Sequence, residues 1–124
     1  MEKLGLNFEK KRINNIVVIY PPFKVDATLS DELNSMLDQI IENDSNSDIL
    51  LNLRNVDFIS SSGLRVIVAT WKKLSNIGRD IKVCTLNDAI RDIFNITQLN
   101  NFIDLFDTEE NAIAAFDLKP EDES

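Results

Sequence analysis

Three consecutive serines, Ser60, Ser61 and Ser62, followed at once by Gly63, are the residues of this chain best placed to take part in chemistry. A serine hydroxyl acts as a nucleophile when a general base stands beside it, or as a phosphoacceptor when a kinase supplies the base. The first use is closed. The sequence contains no histidine, so the Ser-His-Asp and Cys-His arrangements are missing, and so is a Gly-x-Ser-x-Gly elbow. The same lack removes the commonest zinc ligand, while a single cysteine, Cys84, can form neither an intrachain disulfide nor a multi-cysteine metal site. Without Gly-x-x-x-x-Gly-Lys there is no P-loop. Asp57 invites a phosphoaspartate reading, but that chemistry needs an acidic pair after the first strand and a lysine after the last one to hold magnesium. The sequence supplies neither, so the expectation is a protein without catalytic residues, cofactor or metal.

The elements around the serines explain why they can act. Ile49, Leu50, Leu51 and Leu53, continued by Val56, Phe58 and Ile59, read as one strand covered on both faces and central in its sheet. Leu64, Ile67, Val68, Trp71 and Leu74 fall at helical spacing directly after it. The serines therefore sit on the first turn of a helix, where backbone N–H groups lack partners and negative charge is favoured. One hydroxyl suffices to cap a helix, so capping leaves two of the three unexplained.

Upstream, Leu4, Leu6 and Phe8 alternate with polar residues, and Ile16 to Tyr20 forms a β-branched run after Asn14-Asn15, which predicts a hairpin. Leu29, Leu33, Met36, Leu37, Ile40 and Ile41 define a first helix, with Thr28 and Asp31 in a capping-box arrangement and Asn43 to Asn46 as its exit. Downstream follow a strand at Ile81, Val83 and Thr85, a short helix capped by Asn87-Asp88, a strand over Phe102 to Phe106 and a last helix opened by Thr108-Glu109-Glu110. Trp71 and Cys84 fall on apolar positions and read as core. The order predicts an α/β fold: a mixed, mostly parallel sheet of four to five strands with four helices. Its functional surface lies past the carboxyl ends of the parallel strands, where Phe23-Lys24-Val25-Asp26 and Phe58 to Leu64 are placed.

A chain of 124 residues and 14.1 kDa makes one domain, expected over residues 1–118, with an acidic and mobile end over 119–124. With 13 Lys+Arg against 21 Asp+Glu the net charge is -8, which argues against nucleic acid or an anionic membrane as partner. The longest apolar run near the start, Ile16 to Tyr20, is far below the roughly 20 residues that span a bilayer, so a cytoplasmic location is expected. Residues 25–48 carry Asp26, Asp31, Glu32, Asp38, Glu42, Asp44 and Asp48 without a Lys or Arg, whereas the second helix and its exit carry Arg65, Lys72, Lys73, Arg79 and Lys82. Such polarity can orient a partner.

The stretch Val56-Asp57-Phe58-Ile59-Ser60-Ser61-Ser62-Gly63-Leu64-Arg65-Val66-Ile67 resembles the signature of the STAS domain, in the branch of bacterial anti-sigma factor antagonists. There a strand leads into an Asp/Ser-Ser-Ser/Thr/Ala-Gly-Leu turn. The resemblance covers nearly the whole chain: Val25-Asp26 falls on the family's Gly-x-hydrophobic-Asp loop, and Ile81 to Phe106 on its strand, short helix and closing strand. It implies a single STAS-like domain in which Ser61, two positions before Gly63, is phosphorylated. Asp26, Ser60, Ser61, Ser62, Gly63 and Arg65 are expected to face the partner because they converge past the strand ends. By the resemblance, that partner is an anti-sigma factor that is also a GHKL-type serine kinase, with a PP2C-type phosphatase to reverse the mark. The competing expectation is a STAS scaffold or assembly subunit of a signalling complex that is never phosphorylated. Two residues depart from the family pattern: Ser60 stands where many members have Asp, and Phe23 where the loop usually has Gly.

Overall fold

A computed structural model describes residues 8–44 and 46–117. In chain order the elements are β1 (Glu9–Ile13), β2 (Ile16–Tyr20), β3 (Lys24–Val25), α1 (Ala27–Asn43), β4 (Asp48–Asn52), β5 (Phe58–Ile59), α2 (Ser61–Asn76), β6 (Ile81–Cys84), α3 (Asp88–Ile96), a 3-10 turn (Leu99–Asn101), β7 (Leu105–Phe106) and α4 (Glu109–Phe116). Five strands form one sheet in the order β1-β2-β4-β6-β7, with β1 antiparallel to β2 and the other pairs parallel. This is the expected mixed, mostly parallel α/β sheet with four helices, and β4 is central.

The strand pleat divides the interior in two. Val17, Ile19, Ile49, Leu51, Ile81 and Val83 face a core completed by Leu33, Leu37, Ile67, Leu74, Ile90 and Phe94 from α1, α2 and α3. Ile16, Val18, Leu50 and Cys84 face the other side, covered by Ala112 and Phe116 of α4. A strand apolar at every position is thus covered by helices on both faces, as period-2 geometry requires. Cys84 is in the core as expected; Trp71 is only partly buried and packs tilted against Phe102, with ring centroids 5.4 Å apart, at the rim.

Several boundaries differ from the sequence expectation. The first strand runs over Glu9–Ile13, whose pattern is almost wholly exposed, because it is an edge strand held by backbone pairing to β2 and not by an apolar face. Phe8 is buried just ahead of it, and Leu4 and Leu6 lie outside the described residues. The Asn14-Asn15 turn is retained, with Asn14 in the left-handed region at φ 55, which asparagine tolerates. The α1 cap is Asp26 and not Thr28, since the Asp26 carboxylate accepts from the Leu29 N–H at 3.0 Å and the helix starts at Ala27. The expected long strand from Ile49 to Ile59 is broken in two. Asn52 Oδ1 accepts from the Arg54 N–H at 3.0 Å and Val56 N–H reaches the Leu53 carbonyl at 3.0 Å, so the chain turns away and β5 pairs with β3 in a separate two-stranded parallel sheet. The strand at Ile81 ends at Cys84 because Thr85 takes φ 60, and the last strand is only Leu105–Phe106. The acidic end over 119–124 lies outside the described residues.

One carboxylate pins α4 to the sheet. Glu109 accepts from Tyr20 Oη at 2.7 Å and Asn52 Nδ2 at 2.9 Å, and pairs with Lys11 Nζ at 3.0 Å. Burial alone raises its pKa, but these three partners outweigh burial and hold it below the ordinary 4.5. A depressed carboxyl pKa adds stability that is present above the unfolded value and is lost as pH falls through the folded one. Glu109→Ala is therefore expected to lower the unfolding free energy at neutral pH by about 1–3 kcal/mol. The gap between the two proteins should narrow once pH drops through the ordinary value of 4.5. Urea unfolding at neutral and acid pH reads both; a gap that stays constant with pH contradicts the assignment.

Candidate functional site

Two loops leave the carboxyl ends of the neighbouring parallel strands β2 and β4 and lead into α1 and α2. The small β3-β5 sheet joins them, pairing Lys24 with Phe58 and Val25 with Ile59. Further backbone bonds run from Asp57 N–H to the Phe23 carbonyl at 2.8 Å and from Ser60 N–H to the Val25 carbonyl at 2.9 Å. The amino ends of both helices are thereby held side by side.

The three serines take three different positions. Ser60 has extended backbone and is the α2 cap: its Oγ accepts from the Gly63 N–H at 3.1 Å. Ser62 turns inward, with its Oγ 2.9 Å from that of Ser60 and 3.4 Å from that of Ser30 on α1. Ser61, the first residue of α2, is exposed, and its hydroxyl has no hydrogen-bond partner among the described residues. Arg65 lies one turn further along and is also exposed, so the i, i+4 relation puts both on one helix face. Asp26 is spent as the α1 cap, and its carbonyl accepts from Ser30 Oγ at 2.7 Å.

Gly63 is the joint between these parts. A Cβ there would stand 2.9 Å from Ile59 Cγ1, 3.0 Å from Val25 Cγ1 and 3.3 Å from Ser30 Oγ. Its absence is what lets α2 approach the β3-β5 strands and α1 together. Asp26, Ser60, Ser62 and Gly63 are thus brought together around Ser30, while Ser61 and Arg65 look outward.

Phe23 and Phe58 lie at the surface where the sequence places them, but Ser30 and the exposure of these two rings escape the sequence reading. The signal for Ser30 is faint: it stands at i with Leu33 at i+3 and Leu37 at i+7, a polar residue on the apolar stripe of α1. Phe58 belongs to a strand expected to be covered, yet it is 46% exposed, with the Lys24 ammonium 5.8 Å from its ring. Phe23, 61% exposed, flanks the same sheet, so two aromatic rings are open to solvent beside the serine turn. The contrast of an acidic α1 with a basic α2 is partly used within the molecule, because Lys73 pairs with Asp38 across the two helices. No group of His, Cys, Asp or Glu side chains that could hold a metal ion occurs among the described residues.

The model of the STAS domain matches residues 7–112, which include the whole of this site. The chain belongs to the STAS domain family. Among relatives in that family, the anti-sigma F factor antagonist of Paenibacillus polymyxa is 24% identical over 115 residues, covering 93% of this chain and 98% of its own. The fold is shared with the unphosphorylated form of the anti-sigma factor antagonist SpoIIAA, at TM-score 0.76 and 20% identity over 86% of this chain and 92% of that one. The phosphorylated form of the Bacillus cell-fate determinant SpoIIAA superposes at TM-score 0.70 with 19% identity, over 87% of this chain and 97% of that one. No helix among the described residues is long and apolar enough to cross a membrane.

Proposed function

We propose that this STAS domain is an anti-sigma factor antagonist: it binds an anti-sigma factor through the surface around Ser61, and phosphorylation of Ser61 releases that factor. The reading is supported by relatives that carry the name across nearly their full length and by a structural neighbour described in phosphorylated and unphosphorylated forms. The observation that carries the choice of residue is the division of labour in the turn, where Ser60 and Ser62 are engaged and the Ser61 hydroxyl is exposed and unbonded among the described residues.

The partner is an anti-sigma factor that is also a GHKL-type serine kinase. In the transfer, Ser61 Oγ attacks the γ-phosphorus of ATP, the bond from that phosphorus to the β–γ bridging oxygen breaks, ADP leaves, and the hydroxyl proton passes to a base of the kinase. The chain itself has no histidine to serve as that base. A PP2C-type phosphatase reverses the mark, and the whole cycle runs in the cytoplasm. In the binding state the exposed rings of Phe23 and Phe58 supply apolar contact, and the exposed, uncharged Ser61 hydroxyl and the Arg65 guanidinium complete the surface. A phosphate adds roughly -1.5 to -2 charge and three acceptor oxygens at the centre of that contact, so repulsion and desolvation separate the pair without a refolding step.

Mapping of phosphate by mass spectrometry, after incubation with ATP in a lysate of the source cells, tests the choice of residue. Phosphate is expected on Ser61, and Ser61→Ala is expected to abolish incorporation. Labelling of Ser60 or Ser62 at the wild-type rate in the Ser61→Ala protein would overturn it.

A further inference from the structure

The serine that caps α2 creates a requirement that a carboxylate cap does not. Ser60 Oγ accepts the Gly63 N–H but also carries a proton of its own, which must find an acceptor in a half-buried site. The donors order themselves without ambiguity at one end. Ser30 Oγ lies 2.7 Å from the Asp26 carbonyl, which can only accept, so the Ser30 proton goes there and Ser30 Oγ is left to accept. Ser30 Oγ then faces both serine hydroxyls, Ser62 at 3.4 Å and Ser60 at 3.5 Å, and these lie 2.9 Å from each other, so one of the pair donates to the other and the remaining proton goes to Ser30. The result is a network, from the Gly63 N–H through the Ser60–Ser62 pair to Ser30 and the Asp26 carbonyl, that joins the amino ends of α2 and α1. Ser30 is its hinge: it is 1% exposed, and it lies where a Cβ on Gly63 would approach to 3.3 Å, so it has little room to turn away.

We infer that Ser30, on a different helix from the serine turn, is a positioning residue that holds the Ser62 hydroxyl inward and so restricts phosphorylation to Ser61. This inference rests on Ser61 being the phosphoacceptor. Without Ser30 one proton of the Ser60–Ser62 pair has no inward acceptor, and Ser62, which is partly buried, caps nothing and follows Ser61 directly, is the hydroxyl that turns out toward the same kinase. Ser30 contributes the last acceptor in a chain whose members polarise one another.

Two variants of the full chain test it, each read in two ways. In Ser30→Ala the Ser62 side chain should leave its single rotamer, which three-bond couplings in labelled protein report without any kinase. In the lysate assay the ratio of phosphate on Ser62 to that on Ser61 should rise about tenfold, the population change that loss of one hydrogen bond of ordinary strength brings. Adding Ser60→Asp should reverse both changes, because a carboxylate cap brings no proton and accepts from Ser62 directly. An unchanged Ser62 rotamer and an unchanged ratio in Ser30→Ala overturn the positioning role, as does a double variant that behaves like Ser30→Ala. A wild-type protein that takes no phosphate at all counts against the phosphorylation switch instead, and the rotamer comparison still decides whether Ser30 holds Ser62.

Discussion

Ser61→Asp is expected to weaken binding of the anti-sigma factor by roughly 5- to 150-fold, a loss of about 1–3 kcal/mol, whereas Ser61→Ala leaves the affinity within about a factor of two. The aspartate places one charge, without a partner, into a contact built around a neutral hydroxyl. It stays below the full effect of a phosphate because it carries fewer acceptor oxygens and less charge. Neither variant should disturb the fold. The α2 cap is Ser60, so alanine at Ser61 removes no cap, and an acidic residue on the first turn is favoured by the helix dipole. Calorimetric titration of each protein with the anti-sigma factor reads the difference. Equal affinities, with both proteins folded, would place the serine turn outside the interface and favour an assembly role that phosphate does not regulate.

Gly63→Ala should cost stability even though alanine is the better helix former. The intrinsic gain in a helix interior is about 1 kcal/mol. Against it, the new methyl stands 2.9 Å from Ile59 Cγ1 and 3.0 Å from Val25 Cγ1. Both neighbours are β-branched, stiff and buried, so they cannot swing aside as a long side chain would. Overpacking of this kind typically costs about 1–3 kcal/mol. The net loss is then up to about 2 kcal/mol, so the midpoint of thermal unfolding should fall by up to about 10 °C, with Gly63→Val lower again. A Gly63→Ala protein as stable as the parent would mean that α2 can shift off the β3-β5 strands at no cost. Partner affinity should fall in parallel, because the same shift moves Ser61.

The fold is legible in the sequence wherever burial writes a period. Ile16 to Tyr20, Ile49 to Leu51 and the stripes of α1 and α2 declare their elements and the layers they join. Legibility fails where backbone pairing does the holding. β1 is a strand although its residues are charged, and β5 leaves the main sheet because Asn52 turns the chain through a side-chain bond that no apolar pattern records. The serine turn is visible as a motif, but the division of labour within it is not. That depends on Ser30, which approaches Ser62 only once α1 and α2 lie side by side. The exposure of Phe58 follows from the same turn, which separates it from the covered part of the strand that precedes it.

The charged first strand has a bearing on how such domains behave when crowded together. An open sheet edge is a template on which a second molecule can add its own strand, and growth by that route leads to fibres and precipitates. Here the β1 edge offers Glu9, Lys10, Lys11 and Arg12 in succession, so a like edge approaching it meets charge at four consecutive positions. The opposite edge, β7, is two residues long and too short to template anything. Among the described residues neither side of the sheet invites extension. Strand addition at the described edges is thereby disfavoured, which leaves the helices and loops as the surfaces on which a partner can be met at high protein concentration.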